Sequence, residues 1–160
     1  MFSVQMKWWG VVVSVAGLSA CAPVPEKKAA LPDPVPQCQA ARSESGLIGN
    51  WLGSRKSPGL AGELKVWLQL HPNGKMAYSE QLQRRGKPPQ LLSEDGCWRV
   101  EGDVLVLQTL NSNGSPVEAD DPIYTNHYQV VSQTGRQLRL RGPEGAFTVG
   151  RMPDNYRLPF

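Results

Sequence analysis

Histidine is nearly missing from this chain. Only His71 and His127 are present, one before a turn signal and the other inside an apolar-patterned stretch. Cysteine is scarce too: Cys21, Cys38 and Cys97 are the full set, and no Cys-x-x-Cys occurs. A thiol redox centre or a Cys/His metal site lacks its usual spacing. No Gly-x-Ser-x-Gly, phosphate loop or metal-binding helix motif is found, so a converging nucleophile, base and orienting group is not legible. Paired carboxylates such as Glu94 and Asp95 stand only as loop neighbours. Glu118, Asp120 and Asp121, with Asn111 and Asn113, offer oxygen ligands but match no calcium-loop spacing. We therefore expect no enzyme, no metal and no cofactor. A strong charge bias is lacking as well. The formal net charge is +3, which gives no electrostatic case for a nucleic-acid partner. No amphipathic helix of useful length can be traced after the N-terminus.

Long apolar runs are lacking except at one place. Met1 to Lys7 is short and carries one positive charge, and Trp8 to Ala20 is mostly apolar. A bilayer-spanning helix needs about 20 apolar residues, and this run is shorter. A charged start, a short apolar run and small residues at its end make a secretory signal rather than a permanent span. The run closes on Leu18-Ser19-Ala20-Cys21, which resembles the lipobox of bacterial lipoproteins. The resemblance implies removal of residues 1–20 and acylation of Cys21 as the new N-terminus. Each buried methylene contributes about 0.8 kcal/mol, so two or three acyl chains anchor firmly where one does not. In enteric lipoproteins an Asp after the cysteine retains the protein at the inner membrane. Ala22 stands there instead, which implies a lipid anchor in the inner leaflet of the outer membrane, facing the periplasm.

Residues 21–45 then read as the lipidated cysteine and a Pro/Ala-rich tether. Pro23, Pro25, Pro32, Pro34 and Pro36 interrupt any regular ladder, and proline-rich segments stay extended. About 115 residues follow from Gly46, enough for one compact domain and too few for two. With Cys21 consumed by lipid, Cys38 and Cys97 remain in a compartment that permits disulfides. We expect them to pair.

The domain, residues 46–152, reads as strands joined by short turns, with a tail at 153–160. Leu64, Val66, Leu68 and Leu70 alternate with Lys65, Trp67 and Gln69, the period of a half-buried strand. His71-Pro72-Asn73-Gly74 follows, and Asn-Gly is a strong hairpin signal. Further strands are expected at 75–83, 97–100, 104–109, 123–132, 137–141 and 146–152, and residues 46–53 supply the first. About eight antiparallel strands in a meander can close into a barrel and so remove their edges. Fold class is all-β.

Four local patterns resemble the lipocalin-like lipoproteins. They are Gly49-Asn50-Trp51, the 71–74 turn, Cys97-Trp98-Arg99-Val100-Glu101-Gly102-Asp103-Val104-Leu105, and Phe147-Thr148-Val149-Gly150-Arg151. The resemblance implies a small lipocalin-like barrel whose floor is plugged by Trp51, with Arg151 stacked on it as a scaffold pair. Trp67 faces away from the leucines of its strand, either as an anchor for a protein partner or as cover for neighbouring chain. Arg84, Arg85 and Lys87 crowd one loop, as a partner contact or a solvated basic surface. Tyr78, Trp98, Tyr124, Tyr128 and Phe147 either line a ligand cavity or pack the barrel. The expected role is a lipid-anchored, non-enzymatic envelope module that binds a protein or assists assembly. The alternatives are a carrier or sensor of a small apolar ligand, and an inhibitor of a secreted hydrolase.

Overall fold

The structure, a computed structural model, describes residues 37–41 and 46–158. The expected signal peptide, Cys21, most of the tether and the last two residues of the tail lie outside the described residues. The chain forms β1 (Gly49–Arg55), β2 (Glu63–Leu70), β3 (Lys75–Gln83), β4 (Gln90–Glu101), β5 (Val104–Ser112) and a two-residue β6 (Ser115–Pro116). A 3-10 turn (Pro122–Tyr124) precedes β7 (Thr125–Gln133), β8 (Gln137–Gly142) and β9 (Gly145–Met152). Every pairing is antiparallel. The ladder runs β1-β2-β3-β4-β5-β7-β8-β9, and β9 returns to β1 to close an eight-stranded barrel. The short β6 only folds back on the end of β5. No helix among the described residues is long and apolar enough to cross a membrane.

The period-two pattern explains which side is in. Leu64, Val66, Leu68 and Leu70 of β2 are all buried, as are Met76, Tyr78 and Leu82 of β3, Leu105 and Leu107 of β5, and Leu138 and Leu140 of β8. A slip of one residue would turn each of these sets to solvent. Strand alternation also divides the loops between two ends. The β2–β3, β4–β5 and β7–β8 turns meet the incoming chain at one end, here called the floor. The β1–β2, β3–β4, β5–β7 and β8–β9 connections form the other end, the mouth.

The floor is plugged. Trp51 is fully buried and its indole N–H donates to the Leu47 carbonyl at 2.8 Å. Arg151, its register partner across the β1–β9 seam, lies over the indole with Cζ 4.1 Å from the ring centroid. The same guanidinium donates to the carbonyls of Gly46, Ile48 and Gly135 at 2.7–2.8 Å. Gly49, at φ +139°, leaves the space that this guanidinium occupies: a Cβ there would lie 2.2 Å from its Nη1. The first strand accordingly starts at Gly49 rather than at Gly46, because residues 46–48 serve as acceptors for Trp51 and Arg151 instead of pairing.

Cys38 and Cys97 form a disulfide, Cα to Cα 5.1 Å. It fastens residues 37–41 to the outer wall near the floor. Ala41 N–H donates to Pro72 O at 2.9 Å. Gly74, at φ +78°, lets the strap pass, since a Cβ there would lie 1.8 Å from Gln39 O. Trp98 holds the same turn from inside, donating through its indole to His71 O at 2.8 Å.

Candidate functional site

Toward the mouth charged and hydroxyl groups join the inner face, although Leu64 and Leu82 beyond them stay buried. On β3, Glu80 continues the inward row of Met76 and Tyr78. On β1, Arg55 continues the row of Trp51 and Gly53. On β4, Glu94 stands opposite Tyr78 in the ladder, so both side chains share the inner face. Tyr128 on β7, Phe147 on β9 and Thr109 on β5 complete the ring, and all three are buried.

These groups are bonded to one another. Arg55 donates to Glu80 and to Glu144 of the β8–β9 turn, each at 2.5 Å. Tyr78 O–H donates to the same Glu80 carboxylate, and Ser57 O–H donates to Glu144. The Arg55 guanidinium also lies 5.6 Å from the centroid of Phe147, which meets Tyr128 edge to face at 5.8 Å. Arg55 therefore clasps three elements, β1, β3 and the β8–β9 turn, across the mouth. Its Nε is buried and has no hydrogen-bond partner among the described residues. Glu94 accepts from Thr109 O–H at 3.2 Å and has no cation beside it among the described ion pairs.

Burial sets the protonation states. It pushes the Tyr78 and Tyr128 hydroxyls up, so both stay neutral. It pushes the Glu94 carboxyl up too; the Thr109 hydrogen bond opposes this and the Glu80 charge adds to it. For Arg55 burial works against the cation, but the Glu80 hydrogen bond and the surrounding negative groups outweigh it and hold the pKa above the ordinary value.

Three of the five aromatic residues singled out for a cavity, Tyr78, Tyr128 and Phe147, do come together at this cluster. Trp98 lies at the floor end of the lumen, and Tyr124 sits half-buried in the 3-10 turn outside it. Arg84, Arg85 and Lys87 lie on the β3–β4 connection at the mouth. Trp67 is elsewhere, half-buried on the outer wall of β2, with an indole N–H that has no partner among the described residues. It shares a cleft of about 530 Å³ with Asn50, Gln69, His71 and Arg157. A second cleft, about 760 Å³, lies at the floor between the strap and the β4–β5 turn, lined by Ala40, Leu47, Trp98 and Asp103 among others. Both clefts lie outside the upper lumen, which the bonded cluster crosses. His71 and His127 are exposed and far apart in the ladder, on the floor turn and on the outer face of β7. Among the described residues, no group of three or more His, Cys, Asp or Glu is placed to hold a metal ion.

Arg55, Glu80, Thr109 and Glu144 were not singled out from the sequence, and Glu94 and Asp95, expected as loop neighbours, lie within strand β4, with Glu94 opposite Tyr78. Strand parity carries the signal: Arg55 is four residues from Trp51, and Glu80 two from Tyr78, each on the face of a buried aromatic. Compared with protein-family models and with curated proteins, the chain finds no match.

Proposed function

We propose that this chain is a lipid-anchored, non-enzymatic lipoprotein of the cell envelope, held through Cys21 in the outer membrane, and that its barrel binds a protein partner through its mouth. The observation that carries this reading is that the inward side chains are buried, or bonded to one another, from floor to mouth. Trp51, Leu68, Leu70 and Met76 occupy the floor half, and the Arg55–Glu80–Glu144 clasp with its tyrosines lies among Val66, Leu64 and Leu82 in the mouth half. A barrel so occupied offers its rim and walls for recognition, not a calyx. The strap supports the same role, because residues 37–41 are fastened near the floor, at the end of the barrel away from the mouth loops.

The carrier alternative keeps one observation in its favour. Glu94 stands inside the barrel without a counter-cation among the described residues. A ligand admitted there would need a polar or cationic head rather than a wholly apolar body.

The test combines three measurements. Labelled palmitate should enter the wild-type protein in a bacterial host and not Cys21→Ser. A photo-crosslinking residue at Lys87, on the mouth, should give discrete protein adducts, and one at Thr148, on the outer wall, should not. Native mass spectrometry should return the mature mass alone. A stoichiometric lipid-sized adduct in that spectrum would favour the carrier and defeat the reading.

A further inference from the structure

The rim of the mouth is divided by charge. Lys56 lies on the β1–β2 connection, and Arg84, Arg85 and Lys87 lie on β3–β4. None of the four has an ion-pair partner among the described residues. The two connections touch: a Cβ on Gly62 would lie 2.6 Å from Gln83 O and 3.0 Å from Arg84 Cγ. They form one lip that is basic on balance, with the exposed Glu63 at the start of β2 beside it; Leu60, 41% exposed, stands on it, and Leu91, 53% exposed, lies just below it on the outer face of β4.

Further round the rim, the β6–β7 connection carries Glu118, Asp120 and Asp121, followed by Ile123, which is 74% exposed. This acidic lip is held against β5 and by one turn of its own. Val117 N–H donates to Leu110 O, Asp121 N–H to Glu118 O, and Gln108 Nε2 to Ala119 O, all at 3.0–3.1 Å. Its carboxylates likewise have no ion-pair partner among the described residues. Among the described residues, the exposed large apolar side chains Leu60 and Ile123 stand at the two lips, Leu91 lies below the basic lip on the outer wall, and Val100 and Val131 lie toward the floor.

We propose that the mouth binds the mouth of a second copy of this chain. Turning one copy over about an axis in the plane of the rim, midway between the lips, sets each basic lip on the other copy's acidic lip. The same rotation sets Ile123 of each copy toward Leu60 of the other. The contact is isologous and closes on itself at two copies. A flat anionic membrane fits less well, because it would meet both lips and be repelled by one. The contact area of one rim is small, so the dimer is weak in free solution. Anchors on a shared membrane raise the effective concentration and make such an affinity sufficient. This inference rests on the reading of the mouth as a protein-contact surface and names the partner.

The experiment uses the mature lipidated protein in neutral phosphatidylcholine vesicles, with donor and acceptor dyes on separate preparations at an exposed floor position. Energy transfer between copies is expected. It should fall by about tenfold or more in association constant between about 0.01 and about 1 M salt, as the screening length drops from about 30 to about 3 Å. Two variants reverse one lip each at exposed positions: Lys56→Glu with Arg85→Glu and Lys87→Glu, and Glu118→Lys with Asp120→Lys. Each alone should lose transfer, and the two mixed should regain it. Absence of transfer in the wild type, or transfer that survives either reversal, overturns the dimer. Lys87 crosslinks to a different envelope protein would in that case leave the binding role standing while this partner assignment fails.

Discussion

Glu94 is the residue on which pH acts. Its carboxyl is raised by burial and by the Glu80 charge, so the folded state holds the proton more tightly than the unfolded chain does. A raised carboxylate adds stability that is complete below the ordinary carboxylate range and disappears as pH rises through the folded value. At neutral pH the ionised Glu94 is then a liability. Glu94→Gln keeps an acceptor for Thr109 O–H and removes the charge, so its Tm should exceed wild type by a few degrees at pH 7. The gap should close as pH is lowered to about 4. Thermal melts of both proteins across that range test it; a wild type more stable than the variant at pH 7 would sink the argument. Residues like this one were the least legible in the sequence. The aromatic trio announces itself by type. A charged residue on an inward face contradicts the usual sorting of side chains, and Glu94 sits in a stretch with no clean alternation. Only the ladder register, Tyr78 opposite Glu94, puts it inside the barrel.

At the scale of the element, the strap at 37–41 is held by one covalent bond and a backbone hydrogen bond, and one glycine makes room for it. The Cys38–Cys97 bridge spans 59 residues, a closed loop for which the chain-entropy model gives about 4 kcal/mol. Cys38→Ser with Cys97→Ser should lower unfolding free energy by up to about that amount in urea titrations, and a reductant should mimic it in the wild type. Gly74→Ala acts without touching the bridge, through its φ of +78° and the approach of Gln39 O. Its expected cost is about 1–3 kcal/mol, read in the same titration; a neutral result would mean the strap does not press on that turn. The elements themselves were mostly visible beforehand. β2, the Asn73-Gly74 turn and β9 follow from alternation and turn chemistry alone. β4 did not: it begins at Gln90, well before Cys97. Its early residues pair with β3 but leave Leu91 exposed and Leu92 only half-buried, so the apolar pattern that marks a strand is absent there. The Ile123 end of β7 failed in the opposite way. Its apolar residues suggested strand, but Pro122 starts a 3-10 turn capped by Asp121, which accepts from Ile123 N–H at 3.0 Å.

For the whole molecule, closure is the decisive event, because the seam joins the two ends of the domain. β1 and β9 pair over only four residue positions, Asn50 to Gly53 against Val149 to Met152. The hydrogen bonds of Arg151 to Gly46, Ile48 and Gly135 lie beside that seam. Such distant pairing has a large loop-closure cost, offset only when Trp51 and Leu68 bury together with Val149 and Leu138. An open sheet would expose both edge strands and the apolar floor at once, so the seam and the core should be lost together. Trp51→Ala removes the plug and the ring under Arg151, at an expected cost of about 3–5 kcal/mol. Amide exchange offers the sharper reading. In the wild type, the protected amides of β1 and β9 should exchange with the same free energy as those in the centre of β5, where Leu105, Val106 and Leu107 are all buried. Early, separate exchange of β1 and β9 would show that the barrel opens at its seam while the rest stays folded. Trp51 would then be a local latch rather than the keystone of the fold.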